Sequence, residues 1–242
     1  THDGCACFEA RLCRAPQHEE QRVSYYAPAS RDEDVGDWWL DAMTMSTQCA
    51  TTITAQLAYQ AARRGDALAV LSDEGNLSWR DLADLTFRSS ARFRDLGIAP
   101  GAHAALLCRN RPAYLVAWWG LVNAGAVVVS LNFGLVADGL RYAVTQSKAT
   151  SLVVERELWE SLESDLAPVL DGVKVVVFDS EADFFAEVRR FEPDPPLEAS
   201  RFAPVSIIYT SGTTGLPKGV LNCHEAFLAA GREMRTMLDV TE

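Results

Sequence analysis

Lysine is nearly missing from this chain: only Lys148, Lys174 and Lys218 carry an ammonium among 242 residues. Basic side chains number 22 against 33 acidic ones, a formal net charge of −11 at pH 7. A surface that tracks a nucleic-acid backbone needs an excess of cations, so this deficit argues against that class of partner. Cysteine spacing offers nothing to a metal. Of six cysteines only Cys5 and Cys7 lie close together, and Cys-x-Cys followed by Cys13 is not a zinc spacing that His2 or His18 completes. No metal ligand is therefore assigned. A secretory leader is missing too, so the thiols read as reduced and the setting as cytoplasmic, with Cys108 and Cys223 as small buried apolar residues. The sequence carries neither an internal repeat nor a low-complexity tract.

Charge is also missing from residues 112–137, a stretch longer than a membrane-spanning helix needs. Gly120, Asn123, Gly125, Ser130, Asn132 and Gly134 interrupt it, and its β-branched end, 126–129, suits a buried parallel strand. Helix, glycine, strand is the economical reading. Peripheral membrane association stays open.

What the chain does have is apolar residues, 48% of the total, enough for a core in one large domain or two small ones. Residues 1–42 stand apart: Pro16 and Pro28 break them, acids and bases alternate without an apolar face, and the chain opens on Thr1. They read as an irregular extension or leader, with Met43 or Met45 as a natural start for the domain spanning 43–242.

From Thr52 the pattern becomes regular. Ile53, Leu57 and Ala61 share a helical face that ends at Arg63-Arg64-Gly65. Residues 67–71 form a short strand, 73–76 a turn, and Ser78-Trp79-Arg80-Asp81 a capping box for a helix striped by Leu82, Leu85, Phe93 and Leu96. Strands at 103–108, 126–129, 151–154 and 173–178 alternate with helices that Pro112 opens, that carry Leu140 and Val144, and that carry Leu158, Leu162 and Leu166. Trp118 and Trp119 read as packing rather than base-stacking residues, and His103 as a strand residue. The proline-rich stretch 192–204 reads as a surface loop. A short strand at 220–222 precedes a helix opened by His224. Strict alternation predicts an α/β fold, a mostly parallel sheet flanked by helices, with ligands at the carboxyl ends of the strands.

At one such end lies the most informative stretch. Val205, Ile207, Ile208 and Tyr209 read as a buried strand. It empties into Thr210-Ser211-Gly212-Thr213-Thr214-Gly215, and Leu216-Pro217-Lys218-Gly219 closes the loop. Glycines allow close backbone approach, hydroxyls and free N–H groups donate to oxyanions, and Lys218 adds a point charge. The usual P-loop has Gly-Lys-Ser/Thr, which this stretch lacks. A flexible Ser/Thr/Gly linker is the bland alternative, and an IIY strand in front with Pro-Lys-Gly behind speaks against it. Arg201, Arg232 and Arg235 nearby face only Glu225 and Glu233, so an anion is welcome here.

Residues 207–218 resemble the phosphate-binding signature of the adenylate-forming superfamily, which includes acyl-CoA synthetases, peptide-synthetase adenylation domains and luciferases. Residues 109–132 are similar to the helix–glycine–strand region of acyl-CoA synthetases. The resemblance implies the first part of the large N-terminal domain of such an enzyme. It also implies an ATP-dependent acid–thiol ligase that forms an acyl-adenylate and then a CoA thioester, from a fatty or other carboxylic acid. Thr210, Ser211, Gly212, Thr213, Thr214, Gly215 and Lys218 would hold ATP phosphates. The family's adenine- and magnesium-binding Tyr-Gly-x-Thr-Glu segment and its catalytic lysine have no counterpart here, so no catalytic residue is assigned and the magnesium ligand is expected elsewhere. The chain alone is expected to be inactive and to leave apolar surface exposed. A truncated non-catalytic nucleotide-binding module, an amino-acid adenylation domain and an α/β interaction domain are the alternatives.

Overall fold

The computed structural model describes residues 50–210 and 217–239. The irregular extension or leader expected at 1–42 and loop residues 211–215 lie outside them. Helix α1 (Ile53–Arg64) begins at Thr52, whose hydroxyl accepts from the Ala55 N–H at 3.1 Å. Strands β1 (Leu68–Val70) and β2 (Leu77–Ser78) pair antiparallel as a small ribbon. Helix α2 (Trp79–Asp95) follows, started by the expected capping box: Ser78 Oγ accepts from the Asp81 N–H and the Asp81 carboxylate accepts from the Ser78 N–H, each at 3.1 Å.

The body of the molecule then alternates strand and helix: β3 (His103–Leu107), α3 (Pro112–Asn123), β4 (Val127–Ser130), α4 (Ala137–Ser147), β5 (Ser151–Glu155) and α5 (Arg156–Leu166). A 3-10 turn (Ala167–Val169), β6 (Lys174–Phe178), α6 (Glu181–Val188), β7 (Pro204–Thr210), β8 (Lys218–Cys223) and α7 (His224–Met237) complete it. Among the described residues six strands form one sheet in the order β6-β5-β3-β4-β7-β8, parallel throughout except for the antiparallel β7–β8 pair.

Strand periodicity splits the core into two layers. Ala104 and Leu106 of β3 with Val128 and Val153 face α1, α2, α3 and α6, while Ala105, Leu107, Val129 and Val154 face α4 and α5. Because both faces are covered, the central strands read as continuous apolar runs rather than as alternation. Helices α2 and α3 cross so closely that a Cβ on Gly120 would stand 2.6 Å from Ser89 Oγ and 2.7 Å from its Cβ. The uncharged stretch 112–137 resolves into α3, a turn at Gly125 with φ +85°, and β4. No helix among the described residues is long and apolar enough to cross a membrane.

Three features depart from the sequence expectation. Helix α6 was not anticipated, although Ser180 caps it by accepting from the Asp183 N–H at 3.1 Å. The strand expected at 220–222 runs the whole length of 218–223 and turns back on β7 as a hairpin. The loop 192–204 is tied down rather than merely draped. Buried Asn123 donates to the Pro195 carbonyl (3.0 Å) and accepts from the Leu197 N–H (2.8 Å), and Ser90 Oγ donates to Asp194 at 2.7 Å. Thr52 Oγ1 donates to the Leu197 carbonyl at 3.0 Å. An asparagine read only as an interruption of an apolar run thus satisfies the backbone of a distant loop.

Candidate functional site

Hairpin register sets the site. Tyr209 pairs with Gly219 and Thr210 with Lys218, so the first and last polar residues of the glycine-rich stretch stand opposite each other, with 211–217 spanning the gap. Since β7 runs parallel to β4, with Ile208 beside Ser130, Thr210 lies at the carboxyl end of the sheet, where ligands of open α/β sheets bind. Thr210 and Lys218 are exposed. Ser211, Gly212, Thr213, Thr214 and Gly215 lie outside the described residues, so the structure places the two ends of the expected phosphate loop and not its middle.

Two devices hold that take-off point. Tyr209 Oη donates to the Ala143 carbonyl at 3.1 Å and meets Gln146 Oε1, while its ring stands edge-on to Tyr142 at 6.4 Å between centroids. Both contacts fasten the end of β7 to α4. Across the hairpin, a Cβ on Gly219 would lie 2.9 Å from Ile207 Cγ2 and 3.4 Å from the Tyr209 ring. Glycine is needed there because the Ile207 Cγ2 methyl stands too close for a side chain, with the Tyr209 ring in contact beside it, a reason separate from loop flexibility. Sequence reading treated Tyr209 only as a strand residue, and no periodicity identifies a hydroxyl contact to another element.

The far end of β8 is fixed by His224, read from sequence merely as a helix start. It is buried, and its Nδ1 accepts from the Ile53 N–H at 3.2 Å, which makes Nε2 the protonated nitrogen of a neutral ring. Burial pulls its pKa from 6.5 down to about 4. The first turn of α1, which has no acidic residue, is thereby joined to the start of α7.

Elsewhere along the carboxyl edge, charges satisfy one another. Glu155, buried at the end of β5, accepts from Arg109 Nη2 (2.7 Å) and the Arg109 N–H (3.1 Å), and pairs with Arg111 Nη1 at 3.1 Å. Burial pushes its carboxyl up, and these donors and the two guanidiniums outweigh that, holding it below the usual range. Burial, with the nearby Glu155 carboxylate, pushes the Cys108 thiol far up, as expected of a structural rather than a reactive cysteine. Glu181 reaches from the start of α6 to accept from the Ala113 N–H at 2.8 Å, supplying the cap that α3 lacks on its own side. This cluster is a brace between β3, β5 and α3. Among the described residues no group of three or more His, Cys, Asp or Glu side chains converges as a metal site.

Beside the hairpin, on the face carrying α1, α3 and α7, lies an open groove of about 1230 Å³. Its floor holds Tyr114 and Trp118, whose Oη and Nε1 both reach Ser130 Oγ (3.3 and 3.2 Å), and Phe227, edge-on to Trp118 at 5.5 Å. Trp118 and Trp119 are packed edge to face at 5.9 Å, consistent with a packing role. Arg232 pairs with Glu225, which Arg201 also approaches at 3.7 Å.

Comparison with known proteins bears on this arrangement. The family model described as AMP-binding enzyme matches residues 57–241. A medium/long-chain-fatty-acid–CoA/3-oxocholest-4-en-26-oate–CoA ligase of Mycobacterium tuberculosis is 31% identical over 170 residues, covering 66% of this chain and 31% of that protein. The human mitochondrial malonate–CoA ligase is 29% identical over 227 residues, 92% of this chain and 36% of its own length. The chain thus spans about a third of the length of these curated relatives. Among solved structures, the inhibitor-bound N-terminal domain of FACL13 from Mycobacterium tuberculosis superposes with a TM-score of 0.64 at 24% identity, over 72% of this chain and 45% of that one, a likeness of fold. With its α/β fold, its carboxyl-end hairpin and a family match over most of its length, the chain belongs to the AMP-binding enzyme family.

Proposed function

We propose that this chain carries the polyphosphate-holding part of an AMP-forming acid–CoA ligase acting on a fatty or other carboxylic acid. The observation that carries the proposal is the hairpin register, which seats Thr210 and Lys218 face to face at the carboxyl end of a parallel sheet. In the reaction so inferred, a carboxylate oxygen attacks the α-phosphorus of ATP and pyrophosphate leaves. The acyl-adenylate that results is then opened by the thiolate of coenzyme A, releasing AMP. Here Thr210, Ser211, Gly212, Thr213, Thr214 and Gly215 offer hydroxyl and backbone N–H donors to the β- and γ-phosphates. Lys218 offsets the charge that develops on the departing pyrophosphate. The Tyr209 clamp and the close packing of Ile207 against Gly219 fix where those donors start, so less ordering accompanies binding. Magnesium, when bound, screens the phosphate oxygens, and its ligand is expected from residues beyond this set. The same holds for the walls around adenine, the acid and CoA.

Calorimetric titration of the chain with ATP tests this reading. Lys218→Ala should weaken binding about tenfold or more while the thermal midpoint stays within a degree or two. Equal affinity in the variant, or no binding to the parent chain, would overturn it.

A further inference from the structure

The groove beside the hairpin has a composition at odds with the rest of the molecule. In a chain of net charge −11, the described residues lining it include Arg64, Arg201, Arg232 and Arg235 and no carboxylate. Glu225, next to the groove, is shared between Arg201 and Arg232. Beneath that cationic rim lies an aromatic and aliphatic floor formed by Tyr114, Leu115, Trp118, Phe227 and Leu228. An occupant that fits both parts has aromatic or aliphatic side chains to cover the floor and carboxylates to meet the rim. At about 1230 Å³ the groove exceeds the span usual for a single small ligand and suits several side chains of a peptide.

The sequence holds such a segment, tethered at the groove itself. Ala50 lies on the groove wall. The residues before it include Asp32, Glu33, Asp34, Asp37 and Asp41, interleaved with Val35, Trp38, Trp39, Leu40 and Met43. Within residues 32–45 no cation occurs. Ala50 lies eleven positions after Trp39, a reach of up to about 36 Å when extended, and a tether this short raises the local concentration of the segment to the millimolar range. We propose that residues 32–45 dock in this groove, with Trp38, Trp39 and Leu40 over the Trp118–Phe227 floor and the acidic residues against Arg232, Arg235 and Arg64. Docked there, the segment lies against Ile208 and Ser130, at the carboxyl ends of β7 and β4. This placement is independent of whether the hairpin binds ATP.

Photo-crosslinking in the full chain tests it. Trp39 is replaced by the photoreactive residue p-benzoylphenylalanine, the protein is irradiated without nucleotide, and crosslinked peptides are mapped by mass spectrometry. The expected result is crosslinking within one chain to α3 between residues 114 and 119 and to α7 between 227 and 235. Adding Arg232→Glu with Arg235→Glu should lower the yield at least threefold at low salt, with the circular dichroism spectrum unchanged. Crosslinks confined to other parts of the chain, crosslinks only between chains (a second copy as occupant), or a yield unaffected by charge reversal would each overturn the proposal.

Discussion

His224 shows how one side chain couples the signature hairpin to the start of the domain. Its imidazole is neutral because protonation would place a charge in a buried site and remove the acceptor for the Ile53 N–H. The pKa falls in the folded state, from 6.5 to about 4. An unfolded chain therefore binds a proton at this residue below pH 6.5, while the folded chain resists until about 4. The contribution to stability is full above pH 6.5 and shrinks as pH drops toward 4, by about 3 kcal/mol across the interval. Urea unfolding midpoints measured from pH 7 to 4.5 should fall more steeply for the parent chain than for His224→Gln, which keeps an acceptor for Ile53 without titrating. Parallel slopes would contradict this role. Nothing in the sequence around His224 announced it, because the partner is 171 residues away and local pattern carries no information about such a contact. Tyr209 is a similar case, since a strand tyrosine does not reveal that its hydroxyl reaches Ala143.

Elements were more legible than contacts. Capping chemistry at Ser78 and Asp81, the glycine punctuation after α3 and the apolar strands all mark local structure by residue type, and the structure carries each of them. Helix α6 escaped notice because its eight residues, EADFFAEV, hold too few turns to establish a period. The hairpin escaped because strand direction depends on the partner, and strict alternation favours a parallel assignment. Helix crossing is likewise a tertiary property. The α2–α3 contact is as close as it is because Gly120 faces Ser89. Gly120→Ala would drive a methyl group into that serine, whose backbone carbon is only 3.3 Å from the added atom, so it cannot simply swing aside. The expected loss is about 2 kcal/mol despite alanine's better helix propensity, read as a lower urea midpoint. A neutral or stabilising effect would show that the two helices separate at little cost.

For the whole molecule, the two faces of the sheet differ. Helices α4 and α5 cover one side of the central strands, whereas the side bearing α1, α3 and α7 keeps an open groove with Ile208 on its wall. Met234, Met237 and Leu238 on and just after α7 are exposed as well. Apolar surface of this kind marks an interaction site. The signature alone indicated the ligand class, and the structure adds the hairpin that presents it, the tyrosine clamp behind it and the groove beside it. The central claim is that the hairpin grips polyphosphate rather than the nucleoside. Equilibrium titrations of the chain with pyrophosphate and with AMP under the same salt conditions test it most directly. Pyrophosphate is expected to bind and to displace ATP, with AMP at least tenfold weaker. AMP binding as tightly as pyrophosphate, or pyrophosphate failing to bind, would contradict the account.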